Sequence, residues 1–189
     1  MSTIATALPG KVVALFGKLD SPHLNGGQQL AVKYFAVAVV LFFAQLLFGL
    51  LAAIQFIAPG FLFEILDFSV NRMVHINAMV VWLLYGFIGS VYWFLEEESG
   101  TEIAGLKFGQ LAFYVLTGAV TIVVLVYLLI QTGPGKDSSI WLINEGREYI
   151  EAPRWADFGI VAVMLVFFYN VAGTFMQGRW SGISGVLTL

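Results

Sequence analysis

In the stretch RMVHINAMVVWLLYGF, residues 72 to 87, Arg72 and His75 stand together at the mouth of an otherwise apolar run. Neutral imidazole is a good ligand for iron, and a guanidinium one turn away suits carboxylates such as the propionates of a planar macrocycle. A second polar group, INEGREYIEAPRW, brings Arg147, Glu148 and Glu151 close together in sequence. Carboxylates of this kind bind hard cations such as calcium through oxygen. Both groups also have plainer uses. A histidine can hydrogen-bond across a helix contact, and loop charges are commonly solvated.

The elements that must position these residues are membrane helices. The chain has 189 residues, 59% of them hydrophobic and 11% charged, with a mean hydropathy of +0.88. Four continuously apolar stretches, residues 34–58, 73–95, 106–130 and 158–176, each reach the length of about 20 residues that a hydrocarbon crossing needs. The strands of a membrane barrel would alternate in polarity over about ten residues, and these runs do not. The expected fold is therefore all-α, with residues 1–30 as a surface segment and residues 31–189 as a four-helix membrane region. The leading segment has no signal-peptide pattern.

Other classes fall away on composition. With no cysteine, the chain can build no disulfide, iron–sulfur cluster or thiolate site, so any metal must use histidine or carboxylate. A net charge of −3 with dispersed cations offers no footprint for nucleic acid. Cytoplasmic termini would put Lys11, Lys18, Lys33, Lys107 and Arg179 inside, and Arg72, Lys136, Arg147 and Arg154 outside. That agrees only weakly with the positive-inside bias. With either orientation, four spans place the start of the second helix and the long connection from 131 to 157 on one side, so the two polar groups share it. The acidic run Glu96, Glu97, Glu98 ends the second helix on the other side, and consecutive carboxylates spread around a helix rather than converging on a metal.

At 100° per residue, His75, Met79, Trp82, Gly86, Gly89 and Trp93 form one stripe of the second helix, and Asn77 points away. The glycines on the stripe allow something broad to approach the backbone. Either another helix or a planar cofactor meets that description. His23, beside Pro22 and ahead of the first span, reads as a surface histidine.

The strings NRMVHINAMVVWLLYGFIGSVYWFLEEES, EGREYIEAP and QLLFGLLAAIQF together resemble the second helix, the glycine-arginine-glutamate loop and the first helix of the catalytic subunit of cytochrome-c-dependent nitric oxide reductases, in the haem–copper oxidase superfamily. The resemblance runs from about Gln29 to the C-terminus. It implies that His75 is an axial ligand of a low-spin haem b, that Arg72 and Arg147 lie near the haem propionates, that Glu148 ligates calcium, and that Glu151 serves proton delivery from the outer side. It implies a bacterial-type inner membrane with cytoplasmic termini.

The family's subunit has about a dozen helices, and the four seen here resemble its first third. The second axial histidine, the high-spin haem and the non-haem iron belong to the later helices. The expectation is thus a portion of a reductase, split or truncated, completed by the remaining helices as a possible separate chain, with a cytochrome c-type small subunit and the lipid bilayer as further partners. Catalytic-site ligands are not expected in this chain alone. A quinol-dependent relative, another haem b anchor and a non-catalytic structural subunit remain open alternatives.

Overall fold

The computed structural model describes residues 22–66, 68–130 and 154–178. Its elements are α1 (Gly26–Ile57), α2 (Phe68–Ser99), α3 (Leu106–Ile130) and α4 (Arg154–Gln177). No strand occurs among the described residues, and all four helices are long and apolar enough to cross a membrane. This is a multi-pass membrane protein of the all-α class. Its apolar side chains face outward, as with Val40 at 67% exposure and Leu165 at 65%, because lipid rather than water is the solvent.

Helix α1 starts eight residues before the apolar run at Tyr34. Asn25 accepts from the Gln28 amide at 2.8 Å while Gln28 Oε1 accepts from the Asn25 amide at 3.3 Å, a reciprocal pair that satisfies two donors at the helix start. Hydropathy marks the lipid-facing part of such a helix, and polar capping marks its end. At the close of α2, Gly100 takes the left-handed conformation (φ 62°) and its amide returns to Glu96 O at 3.1 Å, a glycine-terminated helix end.

In lipid the hydrophobic effect gives helices no reason to associate, since acyl chains are as apolar as leucine; close packing and polar contacts must do it. The α1–α2 pair is the most extensive contact in the bundle. Its centre is aromatic: Tyr34 lies 5.3 Å from Tyr85 and 5.9 Å from Tyr92 between ring centroids, and meets Phe113 of α3 edge-on at 5.0 Å. The hydroxyls find partners across helices, Tyr85 with Thr117 Oγ1 at 2.9 Å and Tyr92 donating to Asn170 Oδ1 at 2.8 Å.

Helix α4 joins the bundle through two polar residues that are fully buried, Asn170 and Thr174. Asn170 Nδ2 donates to the carbonyls of Ala104 and Gly105 at 2.6 and 3.0 Å, and Thr174 Oγ1 accepts from the Ala104 amide at 2.9 Å. In the tight connection between α2 and α3, the backbone of Ala104 is thus satisfied by α4.

Candidate functional site

His75 lies in the first third of α2, half-buried against the middle of α1. Its Nδ1 is 2.8 Å from the backbone carbonyl oxygen of Gln45. A carbonyl only accepts, so Nδ1 carries the proton and donates. In the neutral ring, Nε2 therefore keeps the lone pair, with no hydrogen-bond partner among the described residues. This is the arrangement in which a ligating histidine is held by its other nitrogen.

Gly49 makes room for the ring. A Cβ at 49 would sit 2.6 Å from His75 Nδ1 and 2.7 Å from Cε1, so any larger residue would displace the imidazole. Gln45 also reaches along the seam: its Oε1 accepts from the Trp82 indole Nε1. The same indole meets Phe42 edge-on at 5.3 Å. Arg72 is half-buried one turn before His75.

The stripe that α2 turns toward α1 differs from the one expected. His75, Trp82 and Gly89 are on it, and Gly89 is packed closely by Phe35 and Tyr34. The other edge is Asn71, Ala78, Tyr85 and Tyr92, all buried, whereas Met79 is 38% exposed and Gly86 has open space around it. Steps of seven residues from Asn71 through Ala78 and Tyr85 to Tyr92 fit a 3.5-residue repeat, the seam of two helices crossing at a shallow angle. Trp93 stays at the margin, 6.4 Å from Phe35. Asn77 donates to Met73 O at 3.0 Å and lies away from α1. It borders a cavity of about 240 Å³ between α2, α3 and α4, reached by Leu41 of α1 and not lined by His75.

At the same end of the bundle, Gln55 Nε2 donates to the carbonyls of Phe61 and Leu66 at 2.9 and 2.6 Å, closing the connection between α1 and α2. Its Oε1 accepts from Asn71 Nδ2 at 2.6 Å, which leaves the buried Asn71 Oδ1 without a partner. Both amide orientations are forced, because Gln55 must donate to two carbonyls.

At the opposite end, Glu96 Oε2 accepts from the Gly27 amide at 2.6 Å, placing a carboxylate on the positive N-terminus of α1. Of the three consecutive glutamates, Glu96 is thus an anchor between helices, while Glu97 and Glu98 are exposed. His23 is exposed at this end, far from His75 along the helices. Arg147, Glu148 and Glu151 lie outside the described residues. Among the described residues no group of three histidine or acidic side chains could hold a metal ion; what they offer is a single oriented imidazole.

Sequence reasoning missed Gln45, Gly49 and Gln55, although all stand within QLLFGLLAAIQF. The usable signal was polarity: Gln45 and Gln55 interrupt an apolar span, and a glutamine inside a membrane helix must have a partner.

Residues 29–188 match the family described as cytochrome c and quinol oxidase polypeptide I. A nitric oxide reductase subunit of Stutzerimonas stutzeri is 38% identical over 170 residues, which cover 88% of this chain and 36% of that protein. The chain therefore spans about a third of the length of the relative it matches. With four membrane-crossing helices and a match over most of its length, the chain belongs to the cytochrome c and quinol oxidase polypeptide I family, within the haem–copper oxidases.

Proposed function

We propose that this chain is a portion of a nitric oxide reductase large subunit, in which His75 is one axial ligand of the low-spin haem b. The observation that carries this reading is the His75 Nδ1–H bond to Gln45 O, which presents a lone pair at Nε2 from a ring seated against Gly49. The similarity to the Stutzerimonas stutzeri nitric oxide reductase subunit supports this reading.

The residues present fit the group. Arg72, one turn from His75, has donors for a propionate, and the resemblance of EGREYIEAP to the family's loop gives Arg147 the same role. By the same resemblance, Glu148 would supply carboxylate oxygen to calcium and Glu151 a titratable group for proton delivery. When bound, haem b supplies one-electron transfer, and the high-spin haem and non-haem iron of the complete enzyme supply the centre at which two NO molecules, two electrons and two protons give N2O and water. This chain's part is to hold the electron-accepting haem from one side and to exclude water with the apolar seam around Trp82 and Phe42. The second axial histidine and the NO-binding ligands come from the remaining helices, and a cytochrome c-type small subunit delivers electrons. The enzyme sits in the inner membrane with the His75 end outward and the termini of this chain in the cytoplasm.

The test is His75→Ala in the complete complex. Loss of the low-spin haem b bands in the reduced-minus-oxidised spectrum, with NO consumption abolished, is the expected result. Retention of those bands in an assembled complex overturns the assignment.

A further inference from the structure

We propose that Gln45, Gly49 and Trp82 are positioning residues that fix the plane and the electron donation of the His75 imidazole; the proposal rests on His75 being a haem ligand.

Both oxygens of Gln45 are bound to α2. The main-chain oxygen accepts from His75 Nδ1 at 2.8 Å and the side-chain oxygen accepts from Trp82 Nε1. Those two donors are seven residues apart, about 10 Å along the axis at roughly 1.5 Å per residue. One residue of α1 therefore holds α2 at two heights. Neither helix can slide or roll on the other without stretching one of the two bonds. Phe42, one turn before Gln45, steadies the indole edge-on.

Gly49, one turn after Gln45, sets the remaining freedom. With no Cβ there, the ring lies directly against the α1 backbone; with one, Nδ1 and Cε1 would be 2.6 and 2.7 Å from it. The ring belongs to a rigid side chain already bonded at Nδ1, so it cannot yield without turning. Turning it weakens the bond to Gln45 O.

That bond matters to the metal. An imidazole whose Nδ1–H is bonded to a strong acceptor is the more basic at Nε2, and a more basic axial ligand favours the oxidised iron. The seam thereby holds the reduction potential of the haem down. Releasing Trp82 from Gln45 lets the α1 carbonyl drift and raises the potential, an effect that reaches the iron only through the His75 ring.

The experiment is a redox titration of haem b, with low-temperature EPR of its oxidised form, on the complete enzyme carrying Trp82→Phe, Gln45→Met or both. The expected result is full haem content, an upward shift of the midpoint potential, and altered low-spin g-values. The double variant should shift no further than the larger single one, because the two residues share a bond. Gly49→Ala should shift most or lose the haem. Unchanged potential and g-values in Gln45→Met overturn the proposal. That variant keeps the side-chain length and so serves where Trp82→Phe does not assemble. If His75→Ala retains haem, the ligand assignment itself fails; if it loses haem while Gln45→Met is silent, only the positioning role fails.

Discussion

Gly27 and Glu96, 69 residues apart in sequence, are joined by a 2.6 Å bond from the amide of one to the carboxylate of the other. It unites the start of α1 with the end of α2, with the negative group at the positive end of a helix. Glu96→Ala should lower stability by about 1 kcal/mol, the usual value of an anion in the first turn. Glu97→Ala and Glu98→Ala, at exposed positions, should leave it unchanged. Thermal inactivation of the detergent-solubilised complex reads the difference, and equal effects at all three positions would remove Glu96 from this role.

Asn170 makes one bond to Tyr92 and two to the α2–α3 connection. Asn170→Leu leaves the Ala104 carbonyl and the Tyr92 hydroxyl to find new partners, while Gly105 O keeps the Phe108 amide, and at about 1 kcal/mol per interhelical bond the expected loss is roughly 2 kcal/mol. Thr174→Val should cost less, since it frees only the Ala104 amide and removes a bond within its own helix. The yield of folded complex and its melting temperature check the order.

Gln55 and Asn71 share one bond, yet their replacement should not be equivalent. Gln55→Leu orphans the carbonyls of Phe61 and Leu66 together with Asn71 Nδ2, an expected loss of about 3 kcal/mol. Asn71→Leu orphans only Gln55 Oε1 and removes an oxygen that already lacks a partner, so about 1 kcal/mol is expected. Melting temperatures of the two variants give the comparison, and a larger loss at Asn71 would show that its Oδ1 has a donor in the complete enzyme.

On the calcium assignment, chelation of divalent cations should slow NO consumption by the complete enzyme and calcium should restore it. Glu148→Gln should reproduce the slow rate and abolish the response to both. A variant that still responds to chelator and calcium would move the cation elsewhere.

The four helices were legible because long apolar runs have one stable form in lipid, and the start and end of α3 emerged where hydropathy put them. The start of α1 did not, because Asn25 and Gln28 cap it before the apolar run begins. His75, Trp82 and Gly89 were placed on one face correctly. Met79 and Gly86 were not, since a helix drawn alone has no partner to choose between the two edges of its stripe; the crossing with α1 chose Asn71, Ala78, Tyr85 and Tyr92. The partners of His75 lay in an apolar string where backbone carbonyls and missing side chains, rather than charged groups, do the work. Glu96 looked like one of three equal charges, and only the position of Gly27 distinguishes it.

The backbone of the α2–α3 connection depends on side chains made later. Until α4 leaves the ribosome, the Ala104 amide and carbonyl lack the partners that Thr174 and Asn170 provide. The turn between α2 and α3 therefore takes its final form only once α4 is in place, so this helical hairpin is completed by the segment made after it.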